Sequence, residues 1–179
     1  IGADPMRSQD SHDPISPRYT RRLVLRKPQR SDLEFVIALF GMPELVAHRP
    51  NPVPDSAEAS TARLAKDMGH WECRGFGRWA IVHDGTLIGF GGVTTSDQFD
   101  GLNLSYHLQP SAWGQGFASE VVAEAVSVAF DRLKAPRVIG LVRPANPASG
   151  RVLERAGFLP EAEVELHGAP TVLWTRYRS

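Results

Sequence analysis

Cysteine is almost missing from this chain: among 179 residues only Cys73 carries a thiol, so no internal disulfide can form. A disulfide-stapled secreted scaffold is thereby excluded, and a reducing, cytoplasmic setting is the simplest expectation. Long apolar runs are missing as well. None approaches the roughly 18 residues that a membrane-crossing helix needs, and no signal-peptide pattern precedes the patterned region, so no membrane partner is expected. A surplus of charge is also missing, because 20 basic and 20 acidic residues cancel, and no global field draws the chain to nucleic acid. The six histidines show no metal-ligand spacing and the lone cysteine has no partner, so no metal site is expected. Internal repeats, low-complexity tracts and a second-domain boundary are likewise not found.

What is present fits one α/β (α+β) domain. With 42% hydrophobic residues, a chain of this length can bury a real core, expected over residues 19–179. Residues 1–18 are polar and rich in Pro, Ser and Asp and read as a mobile tail. Met6 suits a natural start, with residues 1–5 then an appended remnant. Residues 23–26 read as a strand and 33–40 as a helix begun by Ser31 or Asp32. Residues 42–55 hold four prolines and read as a loop long enough to be functional. A second helix follows Ser56, with Glu72 just beyond it. The pair Asp84-Gly85 between residues 78–83 and 86–94 is the clearest hairpin signal. Alternation over 102–108 gives another strand, reached through a turn that holds Asp97. A helix spans about 118–134, a strand 137–142, a helix 146–156, and strands 158–165 and 171–178. The expectation is a mixed, mostly antiparallel sheet of six or seven strands with about four helices.

The most informative stretch is Pro110-Ser111-Ala112-Trp113-Gly114-Gln115-Gly116-Phe117-Ala118-Ser119. Here a strand runs into a glycine loop that opens directly onto a helix. Such a loop exposes unpaired backbone N–H groups at the positive end of a helix dipole, which makes an anion site suited to phosphate. Glycines at 114 and 116 allow the backbone to turn and approach a bound group. A dinucleotide fingerprint is disfavoured, since the third position is Ser119 and the preceding strand alternates rather than running continuously apolar.

Together with later motifs, these residues resemble the GCN5-related N-acetyltransferases (GNAT), especially the RimJ/RimL-like branch that acetylates ribosomal-protein alanines. The matching pieces are Tyr106-His107-Leu108, the loop from Trp113 to Glu120, Asn146-Pro147-Ala148-Ser149, and Val152-Leu153-Glu154-Arg155-Ala156-Gly157-Phe158, with Arg22-Leu23-Val24-Leu25-Arg26 upstream. The resemblance implies a fold whose central strands, 102–108 and 137–142, splay to admit acetyl-CoA. It places the diphosphate on backbone N–H groups of Gln115, Gly116, Phe117, Ala118 and Ser119. The pantetheine arm would meet the exposed backbone at His107 or Leu108 and the Asn146 side chain, with Ser149 near the thioester and Arg151 or Arg155 toward the 3′-phosphate. By the same resemblance the protein is an acetyl-CoA-dependent N-acetyltransferase acting on a primary amine by direct attack in a ternary complex. A protein N-terminal α-amine is the expected acceptor and a small-molecule amine the alternative. A monomer or a homodimer is expected.

Acetyl transfer needs a neutral amine, a polarised carbonyl and a proton for the departing thiolate. Ser149 is the candidate proton donor, and Cys73 lies too far in sequence from every motif residue to suggest a covalent step. Where the branch often carries a glutamate, this chain has Asn103. Glu72, Asp97 and His107 remain as candidate bases. An α-amine of pKa near 8 costs about 1 to 1.5 kcal/mol to deprotonate at pH 7, and a lysine about 4.6 kcal/mol, so a weak base matches an α-amine. A non-catalytic acyl-CoA-binding module is the competing reading that Asn103 keeps open.

Overall fold

The structure, a computed structural model, describes residues 14–179. The tail expected at 1–18 falls mostly outside the described residues. Where it is described the chain packs: the Ile15 carbonyl accepts the Trp79 Nε1–H at 2.8 Å, and Arg18 pairs with Glu124.

Apolar residues bury both faces of the central hairpin strands and one face of the flanking ones, and turn chemistry sets the pairing. Strand β1 (Arg18–Tyr19) is followed by β2 (Leu23–Arg26), α1 (Leu33–Phe40), α2 (Pro43–Val46) and α3 (Ala57–Arg74). The hairpin of β3 (Arg78–His83) and β4 (Thr86–Thr95) turns at Asp84 and Gly85, both at positive φ (48° and 77°) as a two-residue turn of this hand requires. Then come β5 (Leu102–Leu108), α4 (Phe117–Ser127), β6 (Arg137–Val142), α5 (Pro147–Arg155), β7 (Leu159–Leu166) and β8 (Ala169–Tyr177). Among the described residues the eight strands form one sheet in the order β1-β2-β3-β4-β5-β6-β8-β7, antiparallel everywhere except between β5 and β6.

The sheet has one strand more than expected and the fold one helix more. The extra strand is β1, which pairs Arg18 with Leu25 and Tyr19 with Val24 across the boundary drawn between tail and domain. The extra helix is α2, a single turn within the proline-rich segment, started by Pro43, whose fixed φ suits a first helical position. The helix expected to reach residue 134 ends as an α-helix at Ser127 and continues as a π-helical turn over Val128–Arg132, where the Leu133 N–H reaches the Val128 carbonyl at 3.0 Å.

Two apolar layers hold the sheet. Val121, Val122 and Ala125 of α4 pack with Leu104, Leu108, Leu153 and Phe158 on one face. On the other face Val36, Leu39 and Phe40 of α1 and Leu64 of α3 cover Ala80 and Phe90. The central feature is the join of β5 and β6. β4 follows β5 from Leu102 to Leu108, whereas β6 pairs with it only at Leu102↔Val138 and Asn103↔Ile139. Beyond Ile139, β6 stays with β8 as far as Val142↔Val172, and the two central strands part.

Candidate active site

The parting strands leave one edge of β5 open. The Gln109 N–H donates to the Ile88 carbonyl at 2.9 Å, which sets the antiparallel alternation. Asn103, Ser105 and His107 thus turn their backbone groups toward β4, and Leu104, Tyr106 and Leu108 turn theirs to the open edge. Of the expected pair His107 and Leu108, it is Leu108 whose N–H faces the cleft. The Leu108 carbonyl is already taken by the Trp113 Nε1–H at 2.8 Å, which ties the end of β5 to the glycine loop.

At the loop, Gly116 takes φ 80° and stands as the N-cap of α4, with no side chain capping the helix. The first N–H groups of α4, at Phe117, Ala118 and Ser119, therefore point out of the helix end as unsatisfied donors. Arg22 braces this loop from the turn before β2. Its Nη1 donates to the Gln115 carbonyl at 2.9 Å, its Nε to Glu120 Oε1 at 2.8 Å, and its guanidinium lies over the Phe117 ring. Burial pushes the Glu120 carboxyl up, but hydrogen bonds from Thr20 and Arg22 outweigh it and hold the group below its ordinary value. The ion pair cancels an acid that would otherwise repel an anion at this helix end.

A cleft of about 650 Å³ runs from this loop past Tyr106, His107 and Leu108 to the start of α5, with Glu44 and His48 on its far wall. It continues into a smaller cavity of about 140 Å³ between β5 and β6, lined by Ser105, Gly140, Leu141, Val142 and Arg143 among others. Tyr106, His107, His48, Asn146 and Ser149 wall both parts, so these residues stand at the junction.

Ser149 is the best-organised group there. Its Oγ accepts from the Tyr106 hydroxyl and from Asn146 Nδ2, each at 3.0 Å, while its own N–H donates to Asn146 Oδ1 at 3.4 Å as the cap of α5. With both lone pairs engaged, the remaining Ser149 O–H is left to donate elsewhere. Burial pushes the Tyr106 phenol up, partly offset by the contact with Ser149, so it stays a proton-bearing donor.

His107 is neutral and of fixed tautomer. Arg78 Nη2 lies 2.8 Å from its Nδ1, and a guanidinium only donates, so Nδ1 accepts and the proton sits on Nε2. Burial, then the charges of Arg78, Arg63 and Arg49, hold the imidazole well below its usual range. Phe40 packs edge-on against the ring at 5.0 Å. A ring bound in this way offers the cleft a donor and no free lone pair, which removes His107 as a proton acceptor. His48, read from sequence as a surface or packing residue, lines both parts of the cleft. Burial and then the charges of Arg49 and Arg143 lower its pKa.

The other expected residues divide clearly. Gly116, Phe117, Ala118, Ser119, Asn146, Arg151 and Arg155 all line the cleft; Gln115 does not, and its side chain turns back to the Ser111 carbonyl at 2.9 Å. Glu72, on the last turn of α3, and Asp97, in the β4–β5 turn, are exposed and line neither cavity, so the catalytic role expected of them has no geometric support. Cys73 is exposed and lines neither cavity. Asn103 Oδ1 is buried without a hydrogen-bond partner at the point where β5 and β6 join. Sequence reasoning missed His48, Glu44, Arg22 and the Tyr106 hydroxyl as parts of the site. For His48 and Glu44 the usable signal was the length of the segment between α1 and α3; for Arg22 there was none beyond the motif itself. Among the described residues, no group of three His, Cys, Asp or Glu could hold a metal ion.

Residues 22–159 match the family model described as an acetyltransferase (GNAT) domain. The chain is 32% identical over 146 residues to the uncharacterized N-acetyltransferase YoaA of Bacillus subtilis, covering 79% of this chain and 82% of that protein. An acetyltransferase of Agrobacterium tumefaciens superposes with a TM-score of 0.79 at 22% identity, over 90% of this chain and 94% of that one. RimL, a ribosomal L7/L12 alpha-N-protein acetyltransferase solved with coenzyme A, gives 0.75 at 18% identity, over 90% and 97%. These two structures share the splayed-sheet fold, and the matches in sequence carry the further conclusion that this chain belongs to the GNAT acetyltransferases.

Proposed function

We propose that the protein moves the acetyl group of acetyl-CoA onto a primary amine held in the smaller cavity, with Ser149 supplying the proton that the departing sulfur takes up. The observation that carries this reading is the pair of hydrogen bonds into Ser149 Oγ, which leaves its own proton free at the junction of the two cavities.

The residues present fit such a donor. Three uncapped N–H groups at Phe117, Ala118 and Ser119 suit a diphosphate, and a left-handed glycine at 116 keeps side-chain bulk away from it. The open-edge groups of Tyr106 and Leu108 suit the amides of an extended pantetheine arm. Arg151 and Arg155 stand on the same wall for a further phosphate. When bound, acetyl-CoA contributes an activated acyl carbon: a C–N bond forms as the C–S bond breaks, the amine gives up one proton and the sulfur gains one.

The chain's own groups divide those proton tasks. Ser149 donates, backed by Tyr106 and Asn146. His48 is the neutral imidazole on the cleft wall that can accept, because the Nδ1 of His107 is already engaged. The Nε2–H of His107 and the N–H of Leu108 are left to hold carbonyl oxygens. The arginines around this end lower the pKa of any ammonium that enters. A site with no buried carboxylate base thus suits an α-amine better than a lysine-type amine, whose deprotonation costs about 3 kcal/mol more at pH 7. The likeness to RimL supports an α-amine acceptor, either a protein N-terminus or a small molecule.

Free-thiol release with acetyl-CoA and a panel of α-amines tests the proposal. Acceptor-dependent release that falls about 100-fold in kcat for Ser149→Ala, at little changed KM for acetyl-CoA, is the expected result. Coenzyme A binding with no acceptor-dependent release would show a binding module instead.

A further inference from the structure

The smaller cavity has a charge pattern that says what its occupant carries. Among the described residues its lining contains no carboxylate, and its one cation is Arg143. That guanidinium is held through a single nitrogen: Nη1 donates to the Leu166 carbonyl at 2.9 Å, the Ala169 carbonyl at 3.1 Å and Thr171 Oγ1 at 2.9 Å, all on β7, β8 or the turn joining them. Those three oxygens are neutral, so the charge is positioned but not paired. The fork donors Nε and Nη2 take no part in these bonds.

The surroundings have the same sign. Arg49 and Arg63 share Asp55, at 2.8 and 3.2 Å, and Arg78 has only Asp67 at 4.0 Å. Four guanidiniums thus face two carboxylates around His48 and His107. Glu44 is the one acid on the cleft wall among the described residues, and it lies exposed in the larger part. A polycationic amine entering this end would meet like charge in a partly buried site. An amine that also carries an anion would find a planar donor fork ready for bidentate contact.

We infer that Arg143 is a carboxylate-docking residue and that the acceptor is a small amine bearing a carboxylate close to its nitrogen, of the amino-acid type, rather than a polyamine or an uncharged peptide terminus. This inference rests on the acetyl-transfer reading and deepens it. Arg143 does not touch the reacting nitrogen; it orients the molecule that carries it.

The test uses binding, so that amine basicity does not enter. N-acetylalanine and N-acetylalaninamide are titrated into the protein saturated with coenzyme A, followed by calorimetry, for the wild type, Arg143→Gln and Arg143→Lys. The carboxylate should bind at least about tenfold tighter than the amide in the wild type. Arg143→Gln should bring the ratio to about one, Arg143→Lys should keep part of it, and affinity for coenzyme A should stay unchanged in both. Equal binding of the two compounds by the wild type, no binding of either, tighter binding of spermine, or a preference that survives Arg143→Gln would overturn the inference. The wild-type comparison decides the matter even if the variants fold poorly. Loss of coenzyme A binding itself would instead strike the acetyl-transfer reading, and the inference with it.

Discussion

At the glycine-loop end of the cleft the donors are backbone amides of Phe117, Ala118 and Ser119, all from one helix start. At the far end the working groups are side chains from separate places: His48 after α2, Arg78 on β3, His107 on β5, Arg143 after β6 and Ser149 on α5. The first end is local, and its geometry follows once a strand, two glycines and a helix occur in order. The second exists only when strands far apart in sequence have paired in the right register. A backbone-built end should therefore tolerate side-chain changes and fail when chain path changes; the side-chain-built end should do the opposite.

The largest effect is expected of Gly116→Val. A β-branched residue at φ 80° is strained, and its Cβ would stand 3.3 Å from Arg22 Nη2. Acetyl-CoA affinity, read by calorimetry, should fall about 100-fold. Gln115→Ala, which alters only a side chain of the same loop, should leave affinity within about twofold. At the other end the single atom matters: beside the roughly 100-fold loss for Ser149→Ala, Tyr106→Phe should lower kcat about tenfold, measured at saturating acetyl-CoA.

This contrast explains what could be read before the fold was known. The strands 102–108 and 137–142 and the turn at Asp84-Gly85 were legible because alternation and turn chemistry are local signals, and the anion loop was legible for the same reason. β1 escaped because two residues carry no period and Arg18–Tyr19 pair only through tertiary contact. α2 escaped because four residues within a proline-rich segment read as loop. His48 could not be told from a surface histidine, since its place on the cleft wall depends on how α2 packs with α1 and the β3–β4 hairpin. The tautomer of His107 was equally hidden: it is set by Arg78, 29 residues away in the chain.

Arg22 probes the link between the loop and the sheet edge. It touches the loop through the Gln115 carbonyl and Glu120 and lines neither cavity. Arg22→Ala should raise the KM for acetyl-CoA about fivefold to tenfold while kcat changes little, as measured by thiol release.

Acidity probes the side-chain end alone. The pKa values of His107 and His48 are depressed in the fold. The unfolded chain then binds protons that the folded one refuses, so stability is complete above about pH 6.5 and is lost as pH falls through the folded values. Asp55 and Glu120, whose depressed carboxyls act below about pH 4, do not contribute in that window. The unfolding free energy, read from denaturant titrations, should therefore fall as the pH is taken from 6.5 to 5.5. His107→Gln, which keeps an acceptor for Arg78, should flatten part of that slope. The smallest expected effect belongs to Glu72→Gln, which should change kcat/KM by less than about twofold, because Glu72 lines neither cavity.

Backbone amide shifts, followed by NMR as coenzyme A is added, address the core of the account most directly. The largest changes should fall on the N–H signals of Phe117, Ala118 and Ser119 and on Leu108, with those of β7 and α3 nearly still. Saturable binding that leaves the 116–119 amides unmoved would contradict it.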